Sequence, residues 1–338
     1  MNATDLLKLT PQGLYCPQGD FHIDPQRPVE RAVVTHGHAD HCRPGQRAML
    51  ATPNTIAIAK TRYGDDAFGT FESLPFGEVR KIGDVELTFY PAGHVLGSAQ
   101  VLINYKGTRA VVSGDYKRRS DPSCEDFEVV PCDLFVTEAT FGLPVFRHPP
   151  AGDEIRKLLR SIATFPDVTH VIGTYALGKA QRLITEIRAA GWDAPIFIHG
   201  ALRKLCDLYE TLGIPLSPLE DATIKSDKTK GERFRGQIVL APPSAIADRW
   251  ARRLPEAKVG MASGWMRVRQ RVKQRGVEVP LVISDHADWD ELCATIQDTG
   301  AEDIWVTHGS EDALCHWCQE RGIRAQPLSI AGLGEEED

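Results

Sequence analysis

Apolar residues first recur in short β-branched and aromatic runs and later at helical spacing, and this change of period divides the sequence. Residues 31–36, 85–90, 99–105, 108–113 and 133–137 are predicted strands, bounded by Gly, Pro, Asn and Asp. In YKGTRAVVSGD a hairpin is expected around Lys106-Gly107, its second strand ending at Gly114-Asp115. Beyond about residue 140, EIRKLLRSIATF, GKAQRLITEIRAAG and RKLCDLYETLG read as helices alternating with the buried-strand runs THVIGT, PIFIHG and QIVLAP. Such alternation implies a parallel sheet flanked by helices. PLVIS and IWVTHG add two strands near the end, with a helix between them.

Proline-rich joins lie at Leu143-Pro144 with His148-Pro149-Pro150, and between Gly276 and Pro280. They predict one module inserted within another: residues 1–143 and 279–330 as the two parts of one domain, 144–278 as the insert, and 331–338 as a disordered acidic tail. A chain of 338 residues is long enough to bury two cores.

The net charge of −7 argues against a protein that coats nucleic acid by bulk electrostatics. Local basic runs remain candidate phosphate contacts: Lys117, Arg118 and Arg119 in one place, and Arg267, Arg269 and Arg271 with Lys273 and Arg275 in another. A solvated face is the alternative for either run. The opening MNATDLLKLTPQG lacks the basic flank and apolar stretch of a signal peptide, and no window of 18 uninterrupted apolar residues follows, so a cytoplasmic protein without a membrane partner is expected. Eight cysteines without framework spacing fit a reducing compartment. Cys315-His316-Trp317-Cys318 lies in a helical pattern and reads as core, because no second ligand pair follows at zinc-knuckle spacing.

The chemistry concentrates in VVTHGHADHCRPG, where His36, His38, Asp40 and His41 stand directly behind a β-branched run. Imidazole and carboxylate together suit divalent metals, and residues two apart on an extended loop point the same way. Further ligands are expected at strand ends beside glycine: His94 in PAGHVLGSAQ, Asp115 in VVSGD and His308 in WVTHG. Asp24 in FHIDP is better placed behind the ligands, orienting a histidine or the loop.

The order HxHxDH, then a histidine in a glycine-flanked loop, then an aspartate after a strand, resembles the metallo-β-lactamase superfamily. The later half resembles its β-CASP nuclease branch, whose motifs A, B and C are matched by Glu138 in VTEATFG, His286 in ISDHADW and His308 in VTHGSED. Within that branch, GLYCPQGDFHIDP and GTYALGKAQ most resemble the bacterial ligase-associated DNA exonucleases, relatives of the DNA cross-link repair nucleases.

The resemblance implies an αββα sandwich carrying an inserted α/β domain. It also implies two divalent cations, Zn²⁺ with Mn²⁺ as the alternative, one held by His36, His38 and His94, the other by Asp40, His41 and His308, with Asp115 bridging. Asp40, Glu138 and His286 would be catalytic, DNA ends or single strands the substrate, and an ATP-dependent DNA ligase and a helicase the functional associates. His308 departs from the valine usual at motif C of the cross-link repair enzymes and matches RNA-processing members, which keeps a ribonuclease as the alternative. VIGTYALGKAQRLITEI is similar to a terminal-phosphate pocket, with Thr174, Tyr175, Gly178 and Lys179 around a helix start; Ala180 after Lys179 breaks the P-loop pattern, and a plain strand-to-helix connection is the alternative.

Overall fold

The computed structural model describes residues 2–223, 232–247, 250, 254 and 256–328; the expected acidic tail lies outside them. The chain divides into two compact units, one of residues 1–147 with 286–337 and one of residues 148–285.

The first stretch contains strands β1 (Lys8–Thr10), β2 (Gly13–Cys16), β3 (Phe21–Ile23), β4 (Ala32–Val33) and β5 (Ala48–Ala51), then helix α1 (Pro53–Tyr63). Strands β6 (Thr70–Ser73), β7 (Val79–Ile82), β8 (Val85–Pro91), β9 (Ala99–Tyr105), β10 (Thr108–Val112) and β11 (Leu134–Ala139) follow. The hairpin forms where expected: Lys106 and Gly107 both take positive φ, and β9 pairs antiparallel with β10. Helix α1 escapes the period reading because IAIA alternates like a strand. Its marks are instead at its start, with Pro53 in the first turn and the Thr52 hydroxyl accepting from the Thr55 N–H.

The second unit is built from α2 (Ala151–Thr164), β12 (Thr169–Gly173), α3 (Lys179–Ala189), β13 (Ile196–Ile198), α4 (Gly200–Thr211), β14 (Leu219–Asp221), β15 (Ile238–Ala241), α5 (Pro243–Ala247), β16 (Ala257–Ala262), α6 (Arg269–Gln274) and β17 (Val279–Leu281). Its six strands pair throughout in parallel, in the order β14-β13-β15-β12-β16-β17. Strands β12 and β15 are buried at every residue, as a sheet covered on both faces requires. The run PLVIS, placed from the sequence in the last part of the outer domain, belongs here. Gly260 has no side chain to hold off Val279, so β17 closes onto β16.

The chain then adds α7 (Trp289–Thr299), β18 (Asp303–Gly309), α8 (Glu311–Gln319) and β19 (Arg324–Pro327) to the first unit. That unit holds a six-stranded sheet, β1 to β6 in sequence order, and a seven-stranded sheet, β19-β18-β11-β10-β9-β8-β7. Alternate residues of their strands enter different cores. Val33, Leu50, Ala110, Val112, Leu134, Val136 and Trp305 meet in one cluster shared by the two sheets. Ala32 and Met49 instead pack with Ile56 and Ala59 of α1, while Val111, Phe135, Ile304 and Val306 pack with Leu292 and Ile296 of α7 and Leu314 of α8. Cys315 and Cys318 are buried in that last cluster, in keeping with a core role.

Candidate metal centre

The cluster loop leaves β4, and its turn is fixed by the His38 carbonyl, which accepts from the His41 and Cys42 N–H groups. Gln26 donates to the Asp40 carbonyl at 2.7 Å and Arg62 to that of Gly37. The Ser98 hydroxyl accepts from the His94 and Val95 N–H groups and shapes the loop after β8. Asp115 follows Gly114, whose positive φ and close approach to the Thr35 side chain leave no room for a Cβ.

His308 arrives by an irregularity. In the pairing of β11 with β18 the register slips, Glu138 opposing Thr307 and Ala139 opposing Gly309, so His308 is the unpaired residue of a β-bulge with φ +62°. The bulge takes its side chain off the strand's alternation.

These loops bring the expected ligands together. His38 Nδ1 lies 3.0 Å from both His36 Nε2 and His94 Nε2. Asp115 Oδ2 stands 3.5 Å from His36 Nε2, 3.8 Å from His94 Nε2 and 3.4 Å from His41 Nε2, while its Oδ1 is 3.2 Å from His308 Nδ1. Asp40 Oδ2 is 3.6 Å from His41 Nε2 and 3.8 Å from His308 Nε2. His36, His38, His94 and Asp115 form one group that could hold a cation, and Asp40, His41 and His308 a second.

The donor set fits divalent metals. Both Asp40 carboxylate oxygens and His41 Nε2 are buried without a hydrogen-bond partner, which a protein rarely tolerates unless a ligand meets them. Burial holds His36 well below the ordinary imidazole range, in the neutral form a metal requires. Burial opposes charge on His41 too, but Asp115, Asp40 and Asp24 outweigh it and raise that imidazole well above its usual value. His308 is raised to about 9 against its burial, chiefly by Asp115, and Asp115 is in turn held well below the carboxylate range by His41 and His308. The field that retains protons on these rings is one that would attract cations in their place.

Asp24 contacts His41 and Thr35. Its Oδ2 takes His41 Nδ1 at 2.7 Å and the Thr35 hydroxyl at 2.7 Å, and its Oδ1 accepts from the Thr35 N–H. Thr35 Oγ1 is also 3.0 Å from His36 Nδ1, so one carboxylate is linked to two rings of the candidate centre. Glu138 and His286 pair as well, at 2.9 Å from Oε2 to Nδ1. Glu138 is held in turn by the Tyr116 N–H at 2.7 Å and the Thr140 hydroxyl at 2.6 Å. The His286 ring lies 4.6 Å from that of His94, centroid to centroid. Thr35 and Thr140 were missed from the sequence; adjacency to His36 and a two-residue offset from Glu138 were the signals available.

Several of the expected phosphate contacts have partners within the chain. Lys117 is buried and paired with Asp121, because a charge in that position needs an internal partner, and Arg118 pairs with Asp298 at 2.6 Å. In the second unit, Lys179 is likewise buried and paired with Asp285 at 2.8 Å, and the Gly178 N–H is satisfied by Gln181 Oε1. The N–H groups of Lys179 and Ala180 donate to Leu177 and Tyr175 carbonyls, so this helix start is largely satisfied from within. Thr174 Oγ1 is buried without a hydrogen-bond partner, and Tyr175 is half-buried. Arg267 and Arg269 are exposed, whereas Arg271 lies against the Trp265 ring.

No family model matches the sequence. The chain is 29% identical to a probable DNA ligase of Opitutus terrae, over 93% of this chain and 30% of that protein. It is 25% identical to ribonuclease TTHA0252 of Thermus thermophilus, over 93% of this chain and 89% of that one. It is 32% identical to endoribonuclease YSH1 of Gibberella zeae, over 48% of this chain and 20% of that protein. The chain thus spans less than a third of the length of the ligase and of the fungal endoribonuclease. A crystal structure of a protein of unknown function from Enterococcus faecalis shares the fold, with a TM-score of 0.59 at 14% identity, over 89% of this chain and 79% of that one. With the His and Asp centre already described, these likenesses support the resemblance to the metallo-β-lactamase superfamily. Within it, they support the β-CASP branch.

Proposed function

We propose that the protein is a metal-dependent hydrolase of nucleic-acid phosphodiester bonds, with DNA as its substrate and an exonuclease role in repair. The observation that carries this reading is the convergence of His36, His38, His94, Asp40, His41, His308 and Asp115 beside the Glu138–His286 pair. The first unit is read as the αββα sandwich of the superfamily and residues 148–285 as the inserted β-CASP domain.

Two divalent cations, Zn²⁺ by the preponderance of imidazole donors, with Mn²⁺ as the alternative, would supply Lewis acidity and a nucleophilic water near neutral pH. The remaining work falls to the chain. Asp115 stands between the two ligand groups, placed to serve both. Asp40, half-buried, faces His41 and His308 and is the carboxylate available to orient the attacking water. Glu138 takes His286 through Nδ1, which fixes the ring's tautomer and orientation and makes Nε2 the atom that delivers a proton to the leaving oxygen.

DNA is favoured by the likeness over 93% of the chain to a protein named as a DNA ligase. RNA is the second reading, favoured by His308 at its motif and by two relatives named as ribonucleases. Pairing with a ligase or a helicase rests on the family resemblance and is tested by a pull-down. The eight cysteines, all free thiols, agree with a cytoplasmic setting; no helix among the described residues is long and apolar enough to cross a membrane.

Digestion of matched labelled single-stranded DNA and RNA, each with and without a 5′-phosphate, in Zn²⁺ or Mn²⁺, tests the proposal. Shortening of DNA from one end is the expected result. Preference for RNA would replace the first reading by the second, and cleavage of neither would overturn both.

A further inference from the structure

We propose that Arg119 is the positioning residue for His286, acting through the capping box of α7; the inference rests on the role given to His286 above. The segment after Asp115 touches the region around His286 repeatedly. The Tyr116 N–H donates to Glu138 Oε1 at 2.7 Å, and the Tyr116 carbonyl accepts from the Ala287 N–H at 2.6 Å. Three residues further on, Arg119 reaches the start of α7. Its Nε meets Glu291 Oε1 and its Nη2 meets Asp288 Oδ2, both at 2.7 Å.

Asp288 and Glu291 already hold each other. Asp288 Oδ1 accepts from the Glu291 N–H and Glu291 Oε2 accepts from the Asp288 N–H, the reciprocal pairing of a capping box. Each acid therefore uses one oxygen on the helix and turns the other to the guanidinium. Two carboxylates this close, with side chains only 2% and 15% exposed, repel without a shared cation. A planar fork can reach both at once, which an ammonium cannot do with the same geometry.

His286 lies two residues before Asp288, so the backbone that directly follows it is held by the Tyr116 contact at Ala287 and by the Arg119 clamp at Asp288. Release of the clamp leaves Glu138 and every metal ligand in place but lets the imidazole carrying the proton drift. A displaced proton donor slows turnover without weakening substrate binding.

The test uses Arg119→Ala and Arg119→Lys, each in the wild-type and His286→Ala backgrounds, with Asp298→Asn as the control that breaks the Arg118 ion pair on the same helix. Steady-state kinetics on a labelled single-stranded oligonucleotide in Mn²⁺, elemental analysis and amide hydrogen exchange are measured. Arg119→Ala is expected to lower kcat by about 10–100-fold, the usual effect of removing an orienting partner, with KM and bound metal unchanged. Arg119→Lys should fall between, and it carries the test if the alanine variant does not fold. In the His286→Ala background neither substitution should lower kcat further, and Asp298→Asn should match wild type. Exchange should quicken at the amides of residues 287–291 in Arg119→Ala and not in Asp298→Asn. An equal fall in both backgrounds, or a change in KM alone, overturns the inference while leaving His286 its role. Undiminished turnover in His286→Ala overturns that role and the inference together.

Discussion

His41 divides its ring nitrogens between two environments: Nδ1 sits on Asp24, and Nε2 faces Asp115 and Asp40. A ring held this way offers one defined atom to a cation, so Asp24→Asn should weaken metal binding by about 10–100-fold, read by titration of the metal-free protein. An unchanged affinity would make Asp24 a purely structural residue. The ligands and the proton donor should also separate cleanly. His36→Ala should lose bound metal and activity together, whereas His286→Ala should keep its metal and lose about 10²–10⁴-fold in turnover, by elemental analysis and kinetics. Equal metal loss in both would make His286 a ligand. The clustered His and Asp residues were legible in the sequence because cation chemistry demands uncommon residue types at strand ends. Thr35 and Thr140 were not, because threonine is ordinary in strands and only the fold shows which hydroxyl meets Asp24 or Glu138.

At the scale of elements, the bulge at the end of β18 places His308. Gly309 has φ +131°, and a Cβ there would collide with the Ala139 carbonyl oxygen. Gly309→Ala should therefore destabilise the protein by about 1–3 kcal/mol and weaken the cation site that includes His308, measured by thermal unfolding and metal titration. A variant with wild-type stability and metal affinity would show that the bulge is not needed. Strand and helix periods made β8 to β11 and the βα alternation of residues 151–241 readable. The bulge was not, since a one-residue register slip depends on the partner strand. The short strands β1 to β3 were also hidden, because three or four residues are too few to display a period. The cap of α7 falls on Asp288, whose side chain accepts from the Glu291 N–H.

At the scale of the molecule, a change of period and runs of proline announced two modules; the first compact unit ends at Arg147, beside His148-Pro149-Pro150, and resumes at His286 rather than near Pro280. Phe146 accepts from the Trp289 N–H and packs against Phe141, and Arg147 pairs with Asp290, which keeps the residues after Pro144 in the first unit. Because every candidate ligand belongs to that unit, removal of metal should loosen it selectively. A cation at about 100 times its Kd stabilises a fold by roughly 2.7 kcal/mol. Chelation should thus lower the first unfolding transition and raise amide exchange in residues 2–147 and 286–328, with residues 148–285 unaffected. The most direct measurement is the metal content of freshly purified protein, before and after reconstitution with Zn²⁺ or Mn²⁺. About two cations per chain, falling in His36→Ala, is the expected result; no cation in the purified protein, and none taken up on reconstitution, would contradict the metal centre.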